Sequence, residues 1–174
     1  MEATELIAKL LEMNGGVVEM ALDGLPDEKF DQGPTDETNP VGWLLWHKTR
    51  VEDAVIAHVT GAQQVWPGGW AEKFGAHPSP QNIGLGHNLE TVHSLKLTKG
   101  NLKKYADAVR EKTSVALESL SPEDLEKEVP DFLPGQTIRV GEMLGRGLMI
   151  DNFQHSGQVC YLRGYYTGFG WLPF

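Results

Sequence analysis

A carboxylate and an imidazole four residues apart, Asp151 and His155, fall in the apolar stripe of a helix expected from about Arg139 to Arg163. Residues four apart in a helix lie one above the other and point the same way. Val140, Leu144, Leu148, Val159 and Leu162 lie within about 60° of the Asp–His line by helix arithmetic, so the pair sits on the buried face. Desolvating both groups is costly unless each finds a partner, and a metal ion would supply one. A metal site needs at least a third ligand from another element. His47 is the candidate, on the apolar stripe of an earlier helix between Trp43 and Val51. His58 shares that face, but eleven residues of helix put it about 16 Å away. Ligand bonds of about 2 Å exclude one ion holding both. Two histidines and one carboxylate leave coordination positions open, as catalytic metals require. The same three residues also fit a buried hydrogen-bonded network without metal, and the short spacing leaves both readings open.

Four helical stretches must position these groups. Leu6, Leu10, Val17 and Ala21 recur at helical intervals from Ala3 to Leu22, with Gly15-Gly16 weakening the middle and Gly24 and Pro26 as a stop. Asn39-Pro40 opens the second helix as cap and first residue, and Gly61 ends it. Trp43, His47, Val51, Ala54 and His58 form its apolar face. A third helix starts between Leu89 and Lys99 and runs to Leu120, with Lys99-Gly100-Asn101 a potential break. Ser121-Pro122-Glu123-Asp124 caps a short extra turn, with its acids at the positive end of the helix dipole. Residues 62–90 carry Trp66, Trp70 and Phe74 between Pro- and Gly-rich punctuation, which predicts a packed cover and not a disordered loop. No run alternates as a strand does. The expectation is an all-α four-helix bundle with long connections, one domain over residues 1–174.

Other polar residues carry two readings each. Gln158 faces the Asp151–His155 side and can hydrogen-bond a ligand or simply satisfy backbone or solvent. Arg50, one turn from His47, either holds a substrate carboxylate at a cavity mouth or, as favoured here, pairs with Asp53 on the helix surface. Glu52 and Asp53 point away from the His47 face, so neither is assigned as a general base. Cys160 lies about 140° round the helix from His155 and reads as a packed thiol. His77, His87 and His93 share no helical spacing and read as surface or packing groups.

A net charge of -9 and no basic run exclude a phosphate-binding surface, and with it nucleic acid as a partner. The single cysteine rules out an intrachain disulfide and fits a cytoplasmic protein. The amino terminus lacks a secretory pattern, and no apolar stretch approaches the roughly 20 residues of a membrane helix.

Two segments resemble the DinB-like four-helix family. Asn39-Pro-Val-Gly-Trp-Leu-Leu-Trp-His47-Lys-Thr-Arg50-Val-Glu-Asp53 is similar to its second helix. Asp151-Asn-Phe-Gln-His155-Ser-Gly-Gln158-Val-Cys-Tyr-Leu-Arg163-Gly164 is similar to its last. Tyr105 to Arg110 and Leu117 to Leu125 resemble the helix between them and the turn after it, while residues 62–98 match less. The resemblance implies a bundle, often dimeric, with a divalent metal (Zn, Ni, Fe or Mn) on His47, Asp151 and His155. The commoner pattern has histidine at the position of Asp151, which here looks like the aspartate-bearing branch related to the mycothiol-dependent maleylpyruvate isomerases. Family members include metal-dependent hydrolases and transferases or isomerases that use a low-molecular-weight thiol. The resemblance therefore implies an enzyme acting on a small-molecule substrate. The alternative is a non-catalytic bundle in which the metal or the polar trio only anchors a ligand. An aromatic tail, Tyr165 to Phe174, adds support for a homodimer, since so many large side chains tend to be covered.

Overall fold

The structure is a computed structural model in which residues 1–132 and 134–172 are described. Four long helices make the frame: α1 (Ala3–Leu22), α3 (Val41–Thr60), α6 (Lys99–Ser119) and a composite last helix. Shorter helices α2 (Asp27–Phe30), α4 (Trp70–Lys73), α5 (Leu89–Ser94) and α7 (Pro122–Leu125) lie in the connections. The last helix begins as α8 (Val140–Met143), passes through a π-helical turn over Leu144–Ile150 and continues as α9 (Asp151–Thr167). Local chemistry accounts for the ends. Glu2 and Glu5 form a capping box at α1. The Thr98 hydroxyl accepts from the Asn101 amide at α6. Ser121 and Asp124 cap α7 reciprocally. Gly61 ends α3 at φ 71°, a left-handed conformation that costs glycine nothing.

Several expectations shift. Lys99-Gly100-Asn101 is the first turn of α6 and breaks nothing; the separate α5 precedes it. Pro40, not Asn39, occupies the cap position of α3. The chain between α7 and α8 forms a small antiparallel hairpin that no alternation revealed, β1 (Glu128–Pro130) with β2 (Thr137–Arg139). Three residues per strand are too few to show a period of two, and Pro130 is unusual inside one. The π turn was also unforeseen. It inserts an extra residue per turn and so re-aims everything after it. Gly147 lies within it, packed so that a Cβ there would come 3.1 Å from Met143 Sδ and 3.2 Å from Val55 Cγ2.

The second helix departs most from its sequence pattern. It was expected to bury one face, yet every residue of α3 from Val41 to Ala57 is buried. It packs against both α6 and α9, while α1 packs against α9 and α6. The connection after α3 provides the rest of the cover, with Trp66 and Phe74 fully buried against Trp46 and Tyr105 as anticipated. Lys48, Thr49, Arg50, Glu52 and Asp53 are all buried and so need partners among protein groups. In the tail, Tyr166 and Trp171 fold back on the core, Tyr165 and Phe169 are exposed, and Phe174 lies outside the described residues. Among the described residues, no helix is long and apolar enough to cross a membrane.

Candidate metal centre

α3 and the start of α9 bring His47, Asp151 and His155 together, with one potential ligand atom from each lying within 4.8 Å of the others. His47 is buried and the other two are partly so. Asp151 Oδ2 lies 3.6 Å from His47 Nε2 and 3.6 Å from His155 Nε2. The two rings meet edge-on at 87° with centroids 4.7 Å apart. The far nitrogens decide the protonation. His47 Nδ1–H donates to the Ile83 carbonyl oxygen, which can only accept. His155 Nδ1–H donates to Gln158 Oε1 at 2.7 Å. Both Nε2 lone pairs are therefore turned toward the carboxylate.

That geometry sets three acceptors face to face. A separation of 3.6 Å is too long for an N–H···O hydrogen bond. It is close to the roughly 3.3–3.5 Å between donors that share one ion at bonds of about 2.0–2.1 Å. Asp151 Oδ1 is buried with no hydrogen-bond partner. An orphaned buried carboxylate oxygen beside two imidazole lone pairs fits a divalent cation, and the residues present satisfy the donor chemistry of such an ion. The carboxylate also draws a proton toward the facing rings, in competition with any cation. Burial pushes the Asp151 carboxyl up, but the facing His155 and His47 more than offset it and leave it below the usual carboxylate range. The Asp151 carboxylate holds His155 above the ordinary imidazole value against the opposing effect of burial.

The other candidates separate clearly. Gln158 is exposed on α9, and its Oε1 accepts from His155 Nδ1–H at 2.7 Å. Arg50 does pair with Asp53, at 3.0 Å, but the expected surface position is wrong: Arg50 is fully buried because α3 is enclosed on every side. His58 sits away from the trio, with Nε2–H donating to the Pro130 carbonyl at 2.7 Å. His77 and His93 are exposed. His87 packs, as expected, but near the site: it stacks on Trp46 at 5.3 Å and accepts from Trp43 Nε1 at 3.3 Å. Cys160 is half-buried, and burial pushes its thiol up, consistent with a packed group.

The residue following each member of the trio belongs to a second cluster that spacing did not reveal. Lys48 Nζ donates to Asn152 Oδ1 at 3.2 Å and Ser156 Oγ at 3.3 Å. Asn14 Nδ2 donates to the same two oxygens at 2.9 Å. Asn152 Nδ2 reaches Glu52 Oε2, which also accepts from Arg110, while Thr113 donates to Glu52 Oε1. All four long helices meet in this network. The available signal was the line of polar residues, Lys48 and Glu52, opposite the apolar stripe of α3. It reads as a solvated face until α6 and α9 are placed over it.

The sequence profile of the DinB superfamily matches residues 10–157. The chain belongs to the DinB superfamily. A crystal structure described as the conserved protein of locus from Enterococcus faecalis is similar in fold, with a TM-score of 0.83 over 97% of this chain and 99% of that one. At 23% sequence identity, that likeness speaks to the fold alone. No curated protein matches this chain. Superfamily membership and the trio's geometry thus coincide on a helical bundle with a buried His–His–Asp group able to bind metal.

Proposed function

We propose that this DinB superfamily protein is a divalent-metal-dependent enzyme acting on a small molecule, with His47, Asp151 and His155 as ligands. One observation carries the reading. Both imidazole Nδ1–H groups are committed to oxygen acceptors, which turns both Nε2 lone pairs onto a carboxylate whose second oxygen has no partner. A bound divalent ion would supply Lewis acidity, polarising a carbonyl or favouring the ionised form of a water or small thiol. The chain's own contribution is orientation. Ile83 and Gln158 fix the rings, and burial of His47 keeps water from competing for one side of the site. Glu52 and Asp53 are consumed in networks of their own, so no carboxylate besides Asp151 is assigned a role in proton transfer.

The resemblance of the two helix motifs to the aspartate-bearing branch favours a thiol-dependent transferase or isomerase, with hydrolysis as the second class. Cys160 is dispensable on this reading, because the reacting sulfur belongs to the cofactor. The test is a screen of metal-loaded protein with mycothiol, bacillithiol, glutathione or no thiol against electrophilic and unsaturated acids. Turnover requiring both metal and thiol, and absent in His155→Ala, is expected. Turnover without thiol would assign hydrolysis. Ligand affinity without any turnover would assign a binding bundle. The homodimer is part of the same proposal, supported by exposed Ile150, Tyr161 and Tyr165 on the last helix and by exposed Phe169 beyond it. Sedimentation equilibrium returning only monomer at micromolar concentration would remove it.

A further inference from the structure

The buried guanidinium of Arg50 has its whole donor set in use. Nε donates to the Asn82 carbonyl at 3.0 Å. Nη2 donates to the Pro80 carbonyl at 3.0 Å and to Gln64 Oε1 at 2.9 Å. Nη1 donates to Asp53 Oδ2 and the Tyr105 hydroxyl, each at 3.0 Å. Its plane lies over Trp66 at 4.5 Å. Asp53 completes the clip by accepting from the Val65 and Trp66 amides at 2.8 and 2.9 Å. One ion pair on α3 therefore ties down both arms of the connection between α3 and α5, near residues 64–66 and again at 80–82.

The residue after Asn82 is Ile83, whose carbonyl takes the His47 Nδ1–H. The next is Gly84, at φ 99° and pressed against the same ring system. A Cβ there would come 2.9 Å from Trp43 Cζ2, 3.0 Å from His47 Nδ1 and 3.0 Å from Trp46 Cζ3. Trp43 in turn stacks on His47, 5.0 Å between centroids and 6° from parallel. The loop is a backbone strap laid across His47, and Arg50 is one turn along the same helix from the ring it affects.

From this juxtaposition we propose that Arg50 is a positioning residue: by holding the Pro80 and Asn82 carbonyls it seats the Ile83 carbonyl on His47 Nδ1 and fixes the ring in the tautomer that turns Nε2 toward Asp151 and His155. The consequence for metal affinity rests on the proposed function, whereas the tautomer itself does not. A lysine at this position keeps the charge but cannot reproduce the planar fork that reaches two carbonyls at once.

The experiment is nitrogen NMR of metal-free protein carrying 15N-histidine, recorded well above the imidazole titration range, for the parent, Arg50→Lys and Gly84→Ala. His155 is the internal control, because Gln158 on its own helix sets its tautomer. The parent should show His47 protonated at Nδ1 alone. Arg50→Lys should populate the Nε2–H form at His47 while His155 stays unchanged, a split that a general loss of stability would not produce. Gly84→Ala displaces the strap without touching Arg50 and should move His47 in the same direction. Zinc affinity of both variants should fall at least about tenfold, the loss associated with removing a ligand's hydrogen-bond partner. An unaltered His47 tautomer in Arg50→Lys overturns the proposal. If that variant does not fold, an unaltered tautomer in Gly84→Ala overturns it instead. A tautomer shift in a protein that binds no zinc upholds the positioning role and removes the metal reading alone.

Discussion

Two polar layers lie one residue apart on the same pair of helices. His47, Asp151 and His155 form the first, and the residues after them, Lys48, Asn152 and Ser156, belong to the second. The second layer closes on itself: Lys48, Asn14, Asn152, Ser156, Glu52 and Thr113 all find protein partners. Arg110 reaches it with one nitrogen and leaves its buried Nη1 without a partner. The first layer does the reverse. Its donors are spent on acceptors behind the rings, and its lone pairs converge on Asp151 Oδ2 while the other carboxylate oxygen, Oδ1, has no hydrogen-bond partner. A closed network fixes how helices meet, whereas an open set of acceptors lacks a cation. The difference lies in where the protons point, since both layers are equally polar in composition.

Removing a ligand should produce the largest effect. His47→Ala or His155→Ala should lower metal affinity by more than the roughly 10–100-fold that loss of a ligand's hydrogen-bond partner costs. His58→Ala should match the parent in metal content after dialysis, read by elemental analysis, because His58 is engaged at Pro130. Equal metal in His47→Ala and the parent would erase the contrast between the layers. Asp151→His should retain metal and shift preference toward nitrogen-favouring ions.

Breaking the closed layer should cost stability and spare the metal. Glu52→Ala strips a shared acceptor from Arg110, Thr113 and Asn152 and leaves Lys48 without its nearest compensating charge. Denaturant unfolding should show a loss of about 3–5 kcal/mol, with metal per folded molecule unchanged. A milder probe of the open layer is Gln158→Leu, which removes the acceptor from His155 Nδ1. Metal titration should give a loss of about tenfold, without a change in unfolding midpoint for the metal-free protein.

Lys48 should give the smallest change at neutral pH, and in the opposite direction. Burial pushes its ammonium from the ordinary 10.5 down to about 8, partly countered by Glu52. Between those values the unfolded chain binds the extra proton, so stability rises with pH there, by on the order of 3 kcal/mol in total. Below about pH 8 both states hold the proton and the cost of burying the charge is fully present. Lys48→Met should therefore be neutral to about 2 kcal/mol stabilising at pH 7, and should flatten the rise above pH 8 in unfolding free energy. A strongly destabilised Lys48→Met would show that the ammonium organises the network and is not merely tolerated by it.

The i, i+4 relation of Asp151 and His155, the apolar stripe beneath them and the histidine on a second amphipathic helix are consequences of chain geometry. They were legible before any packing was known, as were the extent of α1 and the caps around Ser121. Helix periodicity is local, and 3.6 residues per turn sets it wherever the segment ends up. What surrounds a helix is not local. α3 shows an apolar stripe whether it is half-covered or fully enclosed, so the burial of Arg50, Lys48 and Glu52 and their partners waited on α6, α9 and the strap. The π turn, where Gly147 packs against Val55, and the hairpin, with three residues per strand, have no period to read. The direction of the His47 lone pair rests on the carbonyl of Ile83, a backbone atom that every sequence carries and only tertiary structure can aim.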